Sequence, residues 1–506
     1  MQRGDIRELA RSKRVRLCLT IAAFALVFFH GWILRDTLID CVVHDDWPGV
    51  PIEFQGDAAG YYHLILQEPF PCVTPRRPPL FLCLGRITLA LFGELDLPPL
   101  RELKDHPTGF TETERESYLR QHLRNQTVLR YLSVAYSQLT LIVLVLLALF
   151  LFGPLAALLA AGLWALAFWD IYYAVQFLRL DLVNVFNLLI CLGFGLLLKR
   201  SGPWSRRDSV VTAMLLLTGA LSVYTRLSAL TTLLQLVILY NAIRLVDRRW
   251  RPADLAASAA LVIGVVALLA PYLWHNQQTT GSFFPTLDRH ARWWASHEFA
   301  GEPGFPSRAE VVRGEYTERD ITLFDYVFGL HSLPEVMARY AGGYWQAFTS
   351  DLPRRLVFFI AWQPVHMPWM IILVVAGLTC MLLSGPENVF TAAAGLVFLF
   401  PFAFVLPVDT VLTAEVPAQP TGVEARFLMP LLPFAFLYLC AMVRLPAVVA
   451  RVRGWKREKA DSEREASAED GGNDQRQSVE SDQGSREYCR EKDPECIGRQ
   501  QPGGDV

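Results

Sequence analysis

Long apolar runs alternate with short charged segments along most of the chain. Runs of about 18 to 22 apolar residues span a hydrocarbon core of about 30 Å as helices. Such runs lie at Leu17–Leu34, Tyr131–Phe152, Pro154–Trp169, Leu180–Leu198, Val210–Tyr224, Leu227–Ile243, Leu255–Trp274, Met367–Leu383, Val389–Leu406 and Phe427–Val443. Val210–Tyr224 is the weakest of them. The run Leu80–Phe92 is interrupted by Arg86 and is short for a span. It reads as an amphipathic helix lying on the membrane surface. Leu356–Trp362 is shorter still and reads as half-inserted. The pattern predicts an all-α polytopic membrane protein with about ten transmembrane helices.

Lys and Arg residues fix an expected orientation, because cytoplasmic loops carry them in excess. Arg11, Lys13, Arg14 and Arg16 precede the first run; Lys199, Arg200, Arg206 and Arg207 follow the fourth. Arg244, Arg248, Arg249 and Arg251 follow the sixth, and Arg451, Arg453, Lys456 and Arg457 follow the last. With about ten spans all four clusters fall on one side, so both termini are expected in the cytoplasm. An extra span at Leu80–Phe92 would break that agreement. No small-residue cleavage site follows the first run, so residues 1–16 read as a basic cytoplasmic segment and not as a signal peptide. Two long loops, about residues 35–125 and 275–355, are then expected outside.

Composition agrees with this picture. The chain has 506 residues, 52% hydrophobic and 19% charged, with a mean hydropathy of +0.28. The net charge of -2 is spread over helix ends and a polar tail, which excludes a nucleic-acid binder on charge grounds. The tail at 455–506 is rich in Glu, Asp, Ser, Gln and Arg and is expected to be disordered. The nine cysteines show no metal-type spacing. Cys41 and Cys72 share the first outer loop, where a disulfide is an open alternative to free thiols. Cys489 and Cys496 read as free thiols. His44-Asp45-Asp46 reads as solvated loop before metal site.

Chemistry-bearing residues gather at predicted helix ends. The first outer loop holds Phe54-Gln55-Gly56-Asp57-Ala58-Ala59-Gly60-Tyr61-Tyr62 and then Arg76-Arg77-Pro78-Pro79-Leu80. Gln176-Phe177-Leu178-Arg179-Leu180-Asp181 opens the fourth run, and Tyr224-Thr225-Arg226 ends the fifth. Tyr272-Leu273-Trp274-His275-Asn276 closes the seventh, and Arg426-Phe427-Leu428-Met429-Pro430 opens the last.

In this order, from about Leu17 to Arg444, these segments resemble the GT-C superfamily of membrane glycosyltransferases. The likeness is to its bacterial branch, related to protein O-mannosyltransferases and the lipid A aminoarabinose transferase. The resemblance implies transfer of a sugar from a polyprenyl-phosphate donor, with inversion, at the outer face of the cell (inner) membrane. Asp57 and Asp181 are its implied catalytic carboxylates, Asp57 as general base. Arg77, Arg76, Arg179 and Arg426 are candidates to hold the donor phosphate, for which guanidinium geometry suits. Tyr61, Tyr62, Arg226, His275 and Asn276 are candidate cavity residues. This chain departs from the commonest motif at Ala58, where a second acidic residue often stands, so a mechanism of two adjacent carboxylates is not expected. Metal dependence is open at this point: Asp57 and Asp181 could share a divalent cation through oxygen ligands, although the resemblance does not imply one. Membrane lipids, the lipid-linked donor and a glycan, lipid or protein acceptor are the implied partners.

Each candidate has a plain structural rival. Asp57 follows a glycine and suits a turn. The arginines suit interfacial anchoring, and Asp181 suits the dipole of a helix N-terminus. Trp293-Trp294 suits a loop core or a membrane anchor as well as a sugar platform. Asn125-Gln126-Thr127, a formal glycosylation sequon, abuts a span. For the whole chain, a transporter or flippase of an anionic or lipid-linked substrate is the second reading. Against it, the halves show no repeat and the motif charges sit at helix ends. A catalytically degenerate scaffold is the third.

Overall fold

The computed structural model describes residues 13–44, 52–70, 73–74, 77–105, 109–313, 315–408, 427–446 and 448–450. Readings that fall on Arg76, Arg426, Cys72, Asp45, Asp46, Cys489, Cys496 or the tail at 455–506 lie outside these residues. The chain divides into Met1–Leu445 and Pro446–Val506, and the architecture below belongs to the first unit.

In chain order the helices are α1 (Lys13–Val43), α2 (Gly56–Gln67), α3 (Pro79–Phe92), α4 (Leu100–Asp105), α5 (Glu112–Phe152), α6 (Pro154–Ala165), α7 (Phe168–Ala174), α8 (Leu180–Leu198), α9 (Arg206–Thr225), α10 (Ala229–Val246), α11 (Pro252–Thr280), α12 (Pro285–Glu298), α13 (Arg308–Val312), α14 (Leu333–Gln346), α15 (Leu352–Arg355), α16 (Met370–Leu382), α17 (Pro386–Ala403) and α18 (Leu432–Ala441). Among the described residues seven helices are long and apolar enough to cross a membrane: α5, α8, α9, α10, α11, α17 and the part of α1 from Cys18. Shorter apolar helices are α3, α6, α16 and the segment Leu432–Arg444.

The helix ends follow from local chemistry. Thr111 accepts from the Glu114 backbone N–H while the Thr111 N–H donates to the Glu114 carboxylate, so a capping box starts α5. Ser205 and Asp208 repeat the device at α9. Gly153, at φ +96°, stops α5, and Pro154 at once starts α6. At 41 residues, α5 carries its apolar span in its C-terminal half and extends its polar half well beyond it.

One expectation is corrected. Leu356–Trp362 forms no helix; from Val357 it starts a hairpin. Strand β1 (Val357–Ile360) pairs antiparallel with β2 (Gln363–His366). The turn residues Ala361 and Trp362 both have positive φ, 50° and 66°, as a two-residue primed turn requires. The β-branched and aromatic Val357-Phe358-Phe359 run buries its side chains, and the Phe359 N–H donates to the Leu166 carbonyl at 2.8 Å. That bond ties the hairpin to the break between α6 and α7. The predicted run Pro154–Trp169 is split at this break.

Two ends of the bundle are chemically different. Where α8 and α10 finish and α9 and α11 begin, Arg200 donates to Asp254 at 2.6 Å and the Tyr240 hydroxyl donates to the same carboxylate at 2.7 Å. Arg244 lies 3.5 Å from Asp254 and donates to the Arg200 carbonyl. All of these side chains are buried, and their mutual pairing offsets the cost of taking the charges out of water. The opposite end, where α9 and α11 finish and α8 and α10 begin, carries the motif residues.

The chain after α11 has a small core of its own. Ala291, Ala295, Ile321, Tyr326 and Val336 pack with Phe404 and Val405. Glu298 on α12 binds Arg339 of α14, accepts from the Tyr326 hydroxyl at 2.8 Å and meets His331 Nε2 at 2.9 Å. This ion-paired lock fixes α12 over the motif end.

Candidate functional site

Asp57 stands in the first turn of α2, after Gly56 at φ +55°. Arg77 lies just before the Pro78-Pro79 start of α3. Their side chains meet: Arg77 Nη2 donates to Asp57 Oδ1 at 2.7 Å, with both side chains partly open, 21% and 29% exposed. The Arg77 guanidinium also lies over the Tyr61 ring, 5.2 Å from its centre, one helical turn after Asp57. Burial opposes the charge on Arg77, but Tyr61 and Asp57 outweigh it and hold the guanidinium above its ordinary pKa. The Tyr272 hydroxyl of α11 reaches the Arg77 carbonyl at 3.5 Å.

The remaining cations arrive from other elements. Arg179, in the linker before α8, donates to the Thr225 carbonyl at 3.3 Å. The linker turns sharply at Phe177, a non-glycine residue at φ 56°. Its ring pins the turn, fully buried and stacked on Phe81 at 4.7 Å and Phe54 at 5.5 Å. Arg226, just past α9, lies over the Phe402 ring at 4.0 Å. Asn276 on α11 donates to the Phe283 carbonyl at 3.3 Å, which holds the turn into α12.

A residue that the sequence motifs do not contain completes the group. His290 on α12 is half-buried and lies in the electrostatic reach of Asp57, Arg77, Arg179 and Arg226 together. Burial and the three arginines push its imidazole down to about 3, against the opposing pull of Asp57. Its ring stacks on Trp294, one turn later, at 5.7 Å. The His-x-x-x-Trp spacing on an amphipathic helix is the only trace of this in the sequence. Trp294 stacks on Tyr326 and belongs to the loop core, and Trp293 packs on His297.

Other candidates stand elsewhere. The Tyr62 hydroxyl pairs with His122 Nδ1 at 2.7 Å and accepts from Asn125, on the face of α2 away from Asp57. A cavity of about 180 Å³ lies along that face, bordered by Phe54, Tyr62, His63, Leu97 and Arg101. His275 is half-buried near the end of α11, and its carbonyl accepts from Thr279. Asp181 is fully buried, with neither carboxylate oxygen hydrogen-bonded among the described residues. Its charged neighbours are Asp170 and Arg35, themselves a buried ion pair joined by the Ser137 hydroxyl at 2.6 Å. Asp57 and Asp181 thus have different surroundings. Among the described residues no group of three or more His, Cys, Asp or Glu side chains is placed to hold a metal ion.

Two further structural residues escaped the motif pattern. Arg86, which interrupts an apolar run in the sequence, donates to the Ile65 carbonyl at 2.7 Å and the Leu66 carbonyl at 3.2 Å. It caps the C-terminal end of α2. Arg130, buried on α5, lies over Phe54 and donates to the Val175 and Ile52 carbonyls. It fastens the approach to α2 onto the bundle.

The chain is similar in outline to solved structures of the oligosaccharyltransferase of Archaeoglobus fulgidus. The apo form is 12% identical, with 86% of this chain and 52% of that chain covered and a TM-score of 0.46. The complex with an inhibitory peptide and a dolichol-phosphate is 13% identical, covering 86% and 51%, also at 0.46. The complex with Zn and sulfate is 14% identical, covering 85% and 50%, at 0.45. The chain spans about half the length of these proteins. No protein-family model and no curated protein sequence matches it.

Proposed function

We propose that the chain is a membrane glycosyltransferase of GT-C type. It moves a hexosyl or pentosyl unit from a polyprenyl-phosphate donor to an acceptor hydroxyl at the outer membrane face. The observation that carries this reading is the contact of Asp57 with Arg77 within a group that includes Arg179 and Arg226. A partly open carboxylate beside guanidinium groups, at one end of an apolar bundle, suits a reaction with an anionic leaving group. The ordered sequence motifs supply the family reading, and the Lys/Arg bias supplies the orientation.

In the proposed step the acceptor oxygen attacks the anomeric carbon from the face opposite the phosphate. The bond from that carbon to the phosphate oxygen breaks, and its electron pair leaves with the lipid phosphate. The acceptor's proton passes to Asp57. The phosphate needs no proton, because Arg77 donates to it and the other arginines balance its charge. Arg77 is then shared between the base and the leaving group, which holds the two reacting partners in register. Asp181 supports the fold of the same bundle end with Asp170 and Arg35. A cation shared by Asp57 and Asp181 has no part in this scheme, since their carboxylates have different neighbours.

Loss of a charge-assisted hydrogen bond costs about 1.5–3 kcal/mol, or roughly 10- to 150-fold. An Arg77→Ala variant should therefore raise the apparent KM for an undecaprenyl-phosphate-linked sugar by at least about tenfold. An unchanged KM would remove the phosphate role. Vesicle uptake of the lipid-linked sugar without transfer would favour the transporter reading.

A further inference from the structure

The proposed donor has a charged end and a neutral one, and the charged side chains of the site suit only the first. Arg77, Arg179 and Arg226 donate hydrogen bonds only, and an ionised Asp57 accepts only. A sugar hydroxyl both donates and accepts, and pairs best with a neutral group that does the same. A neutral imidazole offers one N–H donor and one nitrogen acceptor; an imidazolium offers two donors.

His290 meets that requirement. Neither of its ring nitrogens is hydrogen-bonded to a described residue, although the ring is half-buried. The charged groups that face it come from four other places: Asp57 on α2, Arg77 before α3, Arg179 before α8 and Arg226 after α9. Burial first, and then three cations against one anion, keep a further positive charge off the ring. Its orientation is fixed from behind by the stack on Trp294, which in turn stacks on Tyr326 in the loop core. A free, oriented, neutral donor–acceptor group beside a cationic cluster is an arrangement for a polyol attached to an anion.

We propose that His290 is a specificity residue that hydrogen-bonds the sugar of the donor while the arginines hold its phosphate. The inference rests on the donor-site reading above and adds the sugar subsite to it. α12 then belongs to the donor side of the site.

The test is equilibrium binding to the full chain in lipid nanodiscs. The probes are undecaprenyl phosphate, and the same lipid carrying mannose, glucose, galactose or an arabinose-type pentose, one at a time. Wild type should bind one or more sugar-linked lipids about tenfold more tightly than the bare phosphate, the gain of one or two good hydrogen bonds. His290→Ala should abolish that gain and leave bare undecaprenyl phosphate within about twofold, since no charge is lost. His290→Gln, which keeps a donor and an acceptor, should retain part of the gain and guards against a folding defect in the alanine variant. The proposal is overturned if wild type gains nothing from any of the sugars. It is equally overturned if His290→Ala keeps the gain, or weakens both lipids alike. Arg77→Ala separates the two levels: undiminished binding of the bare phosphate in that variant would sink the donor-site reading itself.

Discussion

Arg77 and His290 show how much a side chain's meaning depends on what it faces. Arg77 sits in a Pro-Pro context that is visible in the sequence, and its partner Asp57 lies in an equally visible motif. The two residues were legible in the sequence; their contact was not. His290 was not legible, because a lone histidine on a loop helix looks the same whether it faces water or three arginines. Tyr62 is the converse: adjacent to Tyr61, it turns to the other face of α2 and pairs with His122. A helix separates neighbours by about 100°, and the pattern of the first loop gives no face to count from. The low pKa of His290 gives a signed prediction. Between about pH 6.5 and about 3 the unfolded chain binds a proton there that the folded chain refuses. The stability tied to its neutral state is complete above that window and falls as the pH drops through it. His290→Gln should flatten the acid side of a Tm-against-pH series relative to wild type. Identical slopes would show that the imidazole is not held neutral.

At the level of elements, apolar periodicity located the helices well, and α8 spans the predicted Leu180–Leu198. It failed where a tertiary contact decides. The Val357–Ile360 strand pairs with β2 and is fastened to the Leu166–Ala167 break by a backbone contact that no local pattern records. The Lys/Arg clusters were legible as a topology signal, but their pairing was not. Arg200, just past α8, and Arg244 on α10 converge on Asp254 of α11, and all three side chains are buried there. Removing the carboxylate leaves Arg244 without its counter-charge and Arg200 with only Asp208, at 3.9 Å. Asp254→Ala should destabilise the bundle by about 3–5 kcal/mol, the usual cost of breaking a buried pair from one side. Thermal unfolding in detergent reads this as a clearly lowered Tm. A variant with wild-type Tm would mean that water or headgroups reach these arginines. Close helix approaches add a second constraint: a Cβ on Gly377 would fall 1.7 Å from the Tyr438 carbonyl oxygen, so α16 and α18 pack backbone to backbone.

At the largest scale, the unit Met1–Leu445 is a helical membrane bundle with a locked end and an open end. The locked end holds Arg200, Arg244 and Asp254 as one buried cluster, and the open end adds the partly exposed Asp57, Arg77, Arg179 and Arg226 to the buried group of Asp181, Asp170 and Arg35. That asymmetry suits the proposed reaction at one face: buried, ion-paired charge at one end of the bundle and accessible charge at the other. The helix ends at Arg179, Arg226 and Tyr272 and the loop helix α12 bring residues from widely separated parts of the sequence to one place. In the proposed reaction Asp57 takes the acceptor's proton there. A general base contributes about 10²- to 10⁴-fold to a rate. The direct measurement is single-turnover release of undecaprenyl phosphate from an undecaprenyl-phosphate-linked sugar, in an Asp57→Asn variant that inserts and binds the donor normally. The account predicts a loss of at least about a hundredfold in the transfer rate. Transfer at the wild-type rate would contradict it.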